Sequence, residues 1–178
     1  MSAISPDRIP ASVAGCLEAC RRCETVVDSV IRIDGGRPGK AWNAVGAHLR
    51  HCVEHFQLLL RGLSAGNVDY DARPRDVRLE SEPQRMRDAL AEIRGALAVL
   101  SATDVVRPLS VAQSAAPGRP SQQSPSCLDR ELVFLSGHTI HHIAIMVLSA
   151  DAAGATIPAR LAVAFSTEAH RESTLFSS

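Results

Sequence analysis

Apolar residues recur with the period of an α-helix over four separate stretches of this chain, and no set of segments alternates convincingly with the period of a strand. The first stretch, Ala11 to Ile33, places Val13, Leu17, Cys20, Val27 and Ile31 on one face. Asp34-Gly35-Gly36 and Pro38-Gly39 then break it. The second, Asn43 to Leu63, carries the stripe Leu49, Cys52, Val53, Phe56, Leu59, Leu60 and Leu63, with Gly62 and Gly66 weakening its end. Asn67 to Arg78 is polar and charged and reads as a connection. Ser81-Glu82-Pro83-Gln84 has the form of a helix start, with Ser81 as cap, Pro83 in the first turn and Gln84 in the capping-box position. That third helix continues through Met86, Leu90, Ile93, Leu97 and Leu100. Val105 to Leu109 suits a short extended piece, and Ala112 to Ser126 is too rich in Pro, Ser, Gln and Gly to pack, which predicts a mobile loop. The fourth helix covers Leu128 to Ala150, and after Pro158 the tail to Ser178 is weakly patterned and reads as irregular. Four amphipathic helices predict an all-α, antiparallel four-helix bundle, with residues 1–178 as a single domain.

Charge and cysteine usage narrow the function. Nineteen basic residues balance nineteen acidic ones, so no overall electrostatic footprint for nucleic acid or an anionic membrane exists. No apolar run approaches the ~20 residues needed to span a bilayer. The N-terminal MSAISPDRIPASV, with Pro6 and Pro10, lacks the apolar region of a signal peptide. Five cysteines without a secretion signal argue against a disulfide framework and for a reducing cytoplasm.

The chemistry sits in the histidines. Six of the seven lie in two runs, His48-Leu49-Arg50-His51-Cys52-Val53-Glu54-His55 in the second helix and His138-Thr139-Ile140-His141-His142 in the fourth. At 100° per residue, His48, His51 and His55 fall within a sector of about 60°. His138 and His142 stack one turn apart, the spacing by which a helix offers two imidazoles to one ion. A single such histidine is most often a hydrogen-bonded core residue. Two clusters on two apolar faces are better satisfied by one shared metal, because an unpaired buried polar group costs about 1–3 kcal/mol. Thr139, not a glutamate, follows His138 directly, which excludes the HExxH helix of a zinc protease. No Glu-x-x-His pairs occur on two helices, which argues against a di-iron carboxylate bundle.

These runs resemble the DinB-like (DinB/YfiT) metalloenzyme superfamily. The likeness rests on Trp42 to Phe56 (WNAVGAHLRHCVEHF), on the connection with Val68-Asp69-Tyr70-Asp71 and Arg75-Asp76, and on Asp129 to Ile145 (DRELVFLSGHTIHHIAI). The tail Leu161 to Glu172 (LAVAFSTEAHRE) is similar to the family's closing motif, with Ala162 and Phe165 where a Gly and a Pro are usual. The resemblance implies an up-down-down-up bundle, usually a homodimer. It implies a divalent metal on His51, His138 and His142, with His48 and His55 as alternatives to His51 on the same face. It also implies a thiol-dependent transferase or isomerase, in which the metal activates a low-molecular-weight thiol or a water. A non-catalytic, stress-linked or partner-binding metal protein is the other reading. Imidazole ligands suit Zn, Ni or Fe.

Other residues carry weaker expectations. Cys16, Cys20 and Cys23 share one face and read as small hydrophobes rather than a metal or redox set. Cys52 points away from its neighbour His51 toward the core, and Trp42 anchors the entry of the second helix. Glu54, one turn from His51, suits either an outer partner to a ring N–H or a solvated helix face. Glu131 is too far along its helix to share an ion with His138. Val26, Val30, Ile33, Ala89, Ala96 and Val99 exceed a single stripe on two helices, which predicts that a two-fold interface buries them.

Overall fold

The computed structural model describes residues 9–175. The polar N-terminal stretch through Pro6 and the last residues of the tail lie outside them. The chain is mostly helical with a small three-stranded sheet. Four long helices build the core: α1 (Ala11–Ile33), α2 (Lys40–Gly62), α4 (Pro83–Ala98) and α6 (Leu128–Ala152). Between them come the one-turn helices α3 (Arg78–Ser81) and α5 (Ala102–Val105), and the tail ends in a short 3₁₀ turn and α7 (Phe165–Leu175). Helix α1 packs on α6 and α4, and α2 packs on the same two, so the four close around one apolar interior. Trp42, Leu49, Phe56, Leu59, Met86, Leu90, Leu97, Leu132, Leu135, Ile143 and Met146 fill it with less than 2 % of their surface exposed.

Helix ends explain why these stretches stop and start where they do. The carboxylate of Asp34, just past α1, accepts the backbone N–H groups of Gly39, Ala41 and Trp42, so one side chain satisfies first-turn donors of α2. This moves the start of α2 to Lys40, three residues before the periodic stretch. Gly35 and Gly36 make the turn between the helices at φ 74° and 88°, where other residues are strained. At the far end Gly62 is a requirement of packing rather than a weakness, since a Cβ there would meet the Asn67 carbonyl oxygen at 2.4 Å.

The sheet is the main departure from the sequence expectation. Strand β2 (Pro108–Gln113) pairs in parallel with β1 (Asn67–Asp69) and antiparallel with β3 (Gln122–Cys127). Residues 112–126, expected as one mobile loop, therefore include the end of β2 and most of β3, and only 114–121 connects the strands. Edge strand β3 (QQSPSC) contributes backbone pairing and almost no buried side chain, and its Pro125 sits where an edge tolerates a missing donor. The third helix also starts differently: Pro83 occupies its first turn, but Glu82 precedes it without a side-chain cap. Ser81 instead bonds back to the Val77 carbonyl and Gln84 reaches Asp88, so the capping box does not form. The tail expected to be irregular holds a helix, α7.

Two further expectations change. Val26, Val30 and Ala89 are buried within the chain itself, which leaves only Ile33, Ala96 and Val99 of the six at the surface. Among the described residues one helix, α6, is long and apolar enough to cross a membrane by length and composition, because its mean hydropathy counts residues that no single apolar run contains. Much of that apolarity is used inside the fold, where Leu128, Leu132, Leu135, Ile143 and Met146 are fully buried.

Candidate metal centre

Helices α2 and α6 lie side by side, and their histidines meet between them. The ring of His51 lies 4.3 Å from that of His55, 5.0 Å from that of His138 and 4.4 Å from that of His142, between centroids. The best-converged set is His51, His55 and His138, each with a ring nitrogen within 4.8 Å of the other two. No carboxylate or thiol joins that group among the described residues. Of the ligands implied by the resemblance, His51 and His138 belong to this set. His142 packs against both, with its Nδ1 3.1 Å from Nδ1 of His48, and lies outside the tightest group. His141 faces solvent.

Hydrogen-bond partners fix which nitrogens are available. Nδ1 of His55 lies 2.8 Å from the His51 carbonyl, so it carries the proton, and Nε2 is left as a bare lone pair. Nδ1 of His51 lies 2.7 Å from Nη1 of Arg73, a group that only donates, so the His51 proton sits on Nε2. That Nε2 lies 2.8 Å from Nε2 of His138, which accepts from it. Two nitrogens held tetrahedrally by one zinc at about 2.0–2.1 Å stand about 3.3 Å apart, so an ion would need these two rings to part by about half an ångström. The donor set, neutral imidazoles from two helices, otherwise suits a divalent ion.

An aromatic and carboxylate wall holds the rings. Tyr70, just past β1, stacks on His55 at 5.4 Å, and Phe134 stacks on His138 at 5.4 Å. The Tyr70 backbone N–H bonds to the Ala112 carbonyl, so the sheet itself sets the position of that ring. Its hydroxyl donates to the fully buried Glu131, which also accepts from Ser126 and Arg130. Glu131 thus orients Tyr70 from one side of the site and remains apart from the imidazole group.

Glu54 is completely buried. Its Oε1 accepts the backbone N–H of Asp76 at 2.8 Å and so ties the 71–77 segment to α2. Its Oε2 has no hydrogen-bond partner and stands 3.9 Å from Arg73 and 4.0 Å from Arg50. Arg50 reaches on to Glu80, whose carbonyl accepts the Trp42 indole N–H. Of the two sequence readings for Glu54, the solvated helix face is excluded, and its carboxylate faces Arg73 instead of a ring nitrogen. Arg73 itself was not singled out by the sequence. Its only signal was a basic residue in a segment flanked by Asp71 and Asp76, which is ordinary for a surface connection.

The cysteines stand apart from this centre. Cys16, Cys20, Cys23 and Cys52 are buried, and Cys52 packs toward Cys23 on α1. Burial pushes the Cys16 thiol up to about 12, as expected of a small hydrophobe.

Burial, then the neighbouring rings and the Arg73 guanidinium, push His51 down to about 3. Burial, then nearby His55, His141 and Arg73, hold His138 at about 4, and burial and the surrounding imidazoles do the same to His142. His55 is lowered mainly by burial. In the unfolded chain these rings protonate near ~6.5. Between the two values the unfolded state binds more protons, so stability falls as pH falls. Metal-free protein should therefore lose stability progressively from pH ~6.5 downward, before ordinary carboxylates titrate. Urea unfolding midpoints at pH 7.5, 6 and 5 test this, and a flat series would mean that the rings titrate as in an open chain.

No family model, curated protein or solved structure matches the chain.

Proposed function

We propose that this chain is a divalent-metal protein of the DinB-like type. In this reading α1, α2, α4 and α6 form its up-down-down-up four-helix bundle, and the metal activates a thiol or water for transferase, isomerase or hydrolase chemistry. The observation that carries the proposal is the convergence of His51, His55 and His138 from two packed helices, with all ligand nitrogens within 4.8 Å and no acid in the group among the described residues. His142, one turn beyond His138 and in ring contact with it, is the alternative third ligand or a fourth. A bound divalent ion would supply a Lewis acid that lowers the pKa of a coordinated thiol or water to near neutrality. The protein's part is to hold the imidazoles neutral, through burial, and to fix their orientation through Tyr70, Phe134 and the His51 carbonyl. The closed packing order α1–α6–α2–α4 supports the bundle assignment, and five free cysteines support a reducing compartment.

The test is elemental analysis of protein purified without chelators, followed by assay with a small thiol and an electrophilic acceptor. The proposal expects about one Zn, Ni or Fe per chain and turnover that disappears on chelation. Full metal content without thiol or hydrolytic turnover would overturn the enzymatic part.

A homodimer is also part of the proposal. Ile33, at the end of α1, leaves 47 % of its surface exposed, and Val99, just past the end of α4, leaves 79 %. Sedimentation velocity at micromolar concentration should give twice the chain mass, and a monomer would sink this element alone.

A further inference from the structure

We infer that the ligand accompanying the metal is a small carboxylate-bearing molecule, with its carboxylate read by Arg73 and a thiolate or hydroxyl oxygen set for the metal. This rests on the metal reading above and names the substrate class of the same site.

Charge is the first ground. The three converged ligands are neutral, and no acid joins them among the described residues, so the ion's charge is uncompensated by its own ligands. The buried carboxylate of Glu54, one turn from His51 on α2, is already shared by Arg50 and Arg73. A partly buried cation with neutral ligands favours an anion in its open position. The second ground is the proton inventory of His51. A metal on Nε2 displaces the proton now there, and a neutral imidazole then carries it on Nδ1. Nδ1 at present takes a donor from Arg73 at 2.7 Å. Two donors cannot face each other, and a guanidinium has no acceptor to offer. Arg73 must therefore release His51 when the ion enters. One buried acceptor stands within reach of it, the Glu54 Oε2 that lacks a hydrogen-bond partner and lies 3.9 Å away. Anchored there, Arg73 keeps a planar fork of further N–H groups at the edge of the site. That fork is matched by a carboxylate, whose paired oxygens accept two N–H bonds at once.

The probes are mercaptoacetate and 2-mercaptoethanol, which share a thiol and differ by the carboxylate. Each is titrated into Co(II)-loaded protein, with thiolate-to-cobalt absorption as the readout. Wild type should bind mercaptoacetate tighter than mercaptoethanol by about tenfold or more, the range of one charge-assisted pair. Arg73→Met should lower that preference by a similar factor, while Arg73→Lys restores part of it. A preference that survives in Arg73→Met would come from chelation by the metal alone and would overturn the inference, as would equal binding of both thiols by wild type. A variant that loses both thiols equally would show a structural role for Arg73 and overturn it too. If Co(II) produces no ligand-field bands at all, the metal reading itself fails and this inference falls with it.

Discussion

His51→Ala and His138→Ala should each empty the metal site, while His141→Ala should leave it full. A structural zinc site contributes roughly 10–16 kcal/mol over all its ligands, so each imidazole accounts for several kcal/mol and its loss for more than about a hundredfold in affinity. The Nε2 atoms of His51 and His138 make the shortest contact between ring nitrogens in the cluster, 2.8 Å across two different helices. His141 points to solvent and its ring meets only the edge of His142. The third ligand is decided by a pair of variants. Geometry favours His55, whose Nδ1 is committed to a carbonyl and whose Nε2 is free, so His55→Ala should lose metal nearly as completely as His51→Ala. His142→Ala should be intermediate, since its ring lies outside the set whose nitrogens converge. Metal content by mass spectrometry after dialysis measures the series. Metal retained in His55→Ala and lost in His142→Ala would restore the ligand set implied by the family resemblance. Metal retained in every variant would end the histidine site altogether.

What the sequence could and could not convey follows from the range of each signal. The long helices were legible because a buried face repeats every three or four residues, so α1 was bounded to the residue. The two histidine runs were legible for the same reason, since each lies on such a face. The sheet was not. Strand β3 pairs through its backbone and buries almost no side chain, so QQSPSC left no pattern to read. The start of α2 was missed because its donors are satisfied by Asp34, which looked like the end of the preceding helix. Tyr70 and Arg73 were seen only as members of a connection, and Glu54 as either an outer partner to a ring N–H or a solvated helix face. Their roles depend on which loop returns to which helix, a fact that exists only once β1 has paired with β2 and drawn the 71–77 segment over α2. The choice between His55 and His142 is of the same kind. Both satisfy helical spacing, and only the convergence of ring nitrogens in the folded chain distinguishes them.

Arg22→Ala should destabilise the fold by about 2–3 kcal/mol and loosen the C-terminal segment ahead of the core. Arg22 lies on α1 with only 6 % of its side chain exposed. Its Nη1 donates to the carbonyls of Leu161 and Val163 at 3.2 and 2.9 Å, and its Nη2 to both oxygens of Glu168 at 2.9 and 2.7 Å. Nε reaches Glu18 at 2.8 Å, and the guanidinium lies 4.9 Å above the Phe165 ring. One side chain thus holds the 3₁₀ turn (Ala159–Ala162) and α7 against α1, in a tail whose own sequence is weakly apolar. Removing one partner of a fully buried ion pair costs roughly 3–5 kcal/mol. Glu168 is 37 % exposed, so water recovers part of that cost and the lower figure applies. At about 2–4 °C per kcal/mol for a chain of this size, the melting temperature should drop by about 5–10 °C. Glu168→Gln should cost less, because it keeps an acceptor and leaves Arg22 its two carbonyls. Arg22→Lys should fall between, since an ammonium replaces the charge but cannot span carbonyl and carboxylate together. Hydrogen exchange separates this clamp from a general core defect. Amides of residues 159–175 should lose protection in Arg22→Ala while those of α2 and α6 keep theirs relative to the lowered global stability. Uniform loss across all helices would mean that Arg22 acts on the core and that the tail is held by Leu161 and Phe165 alone.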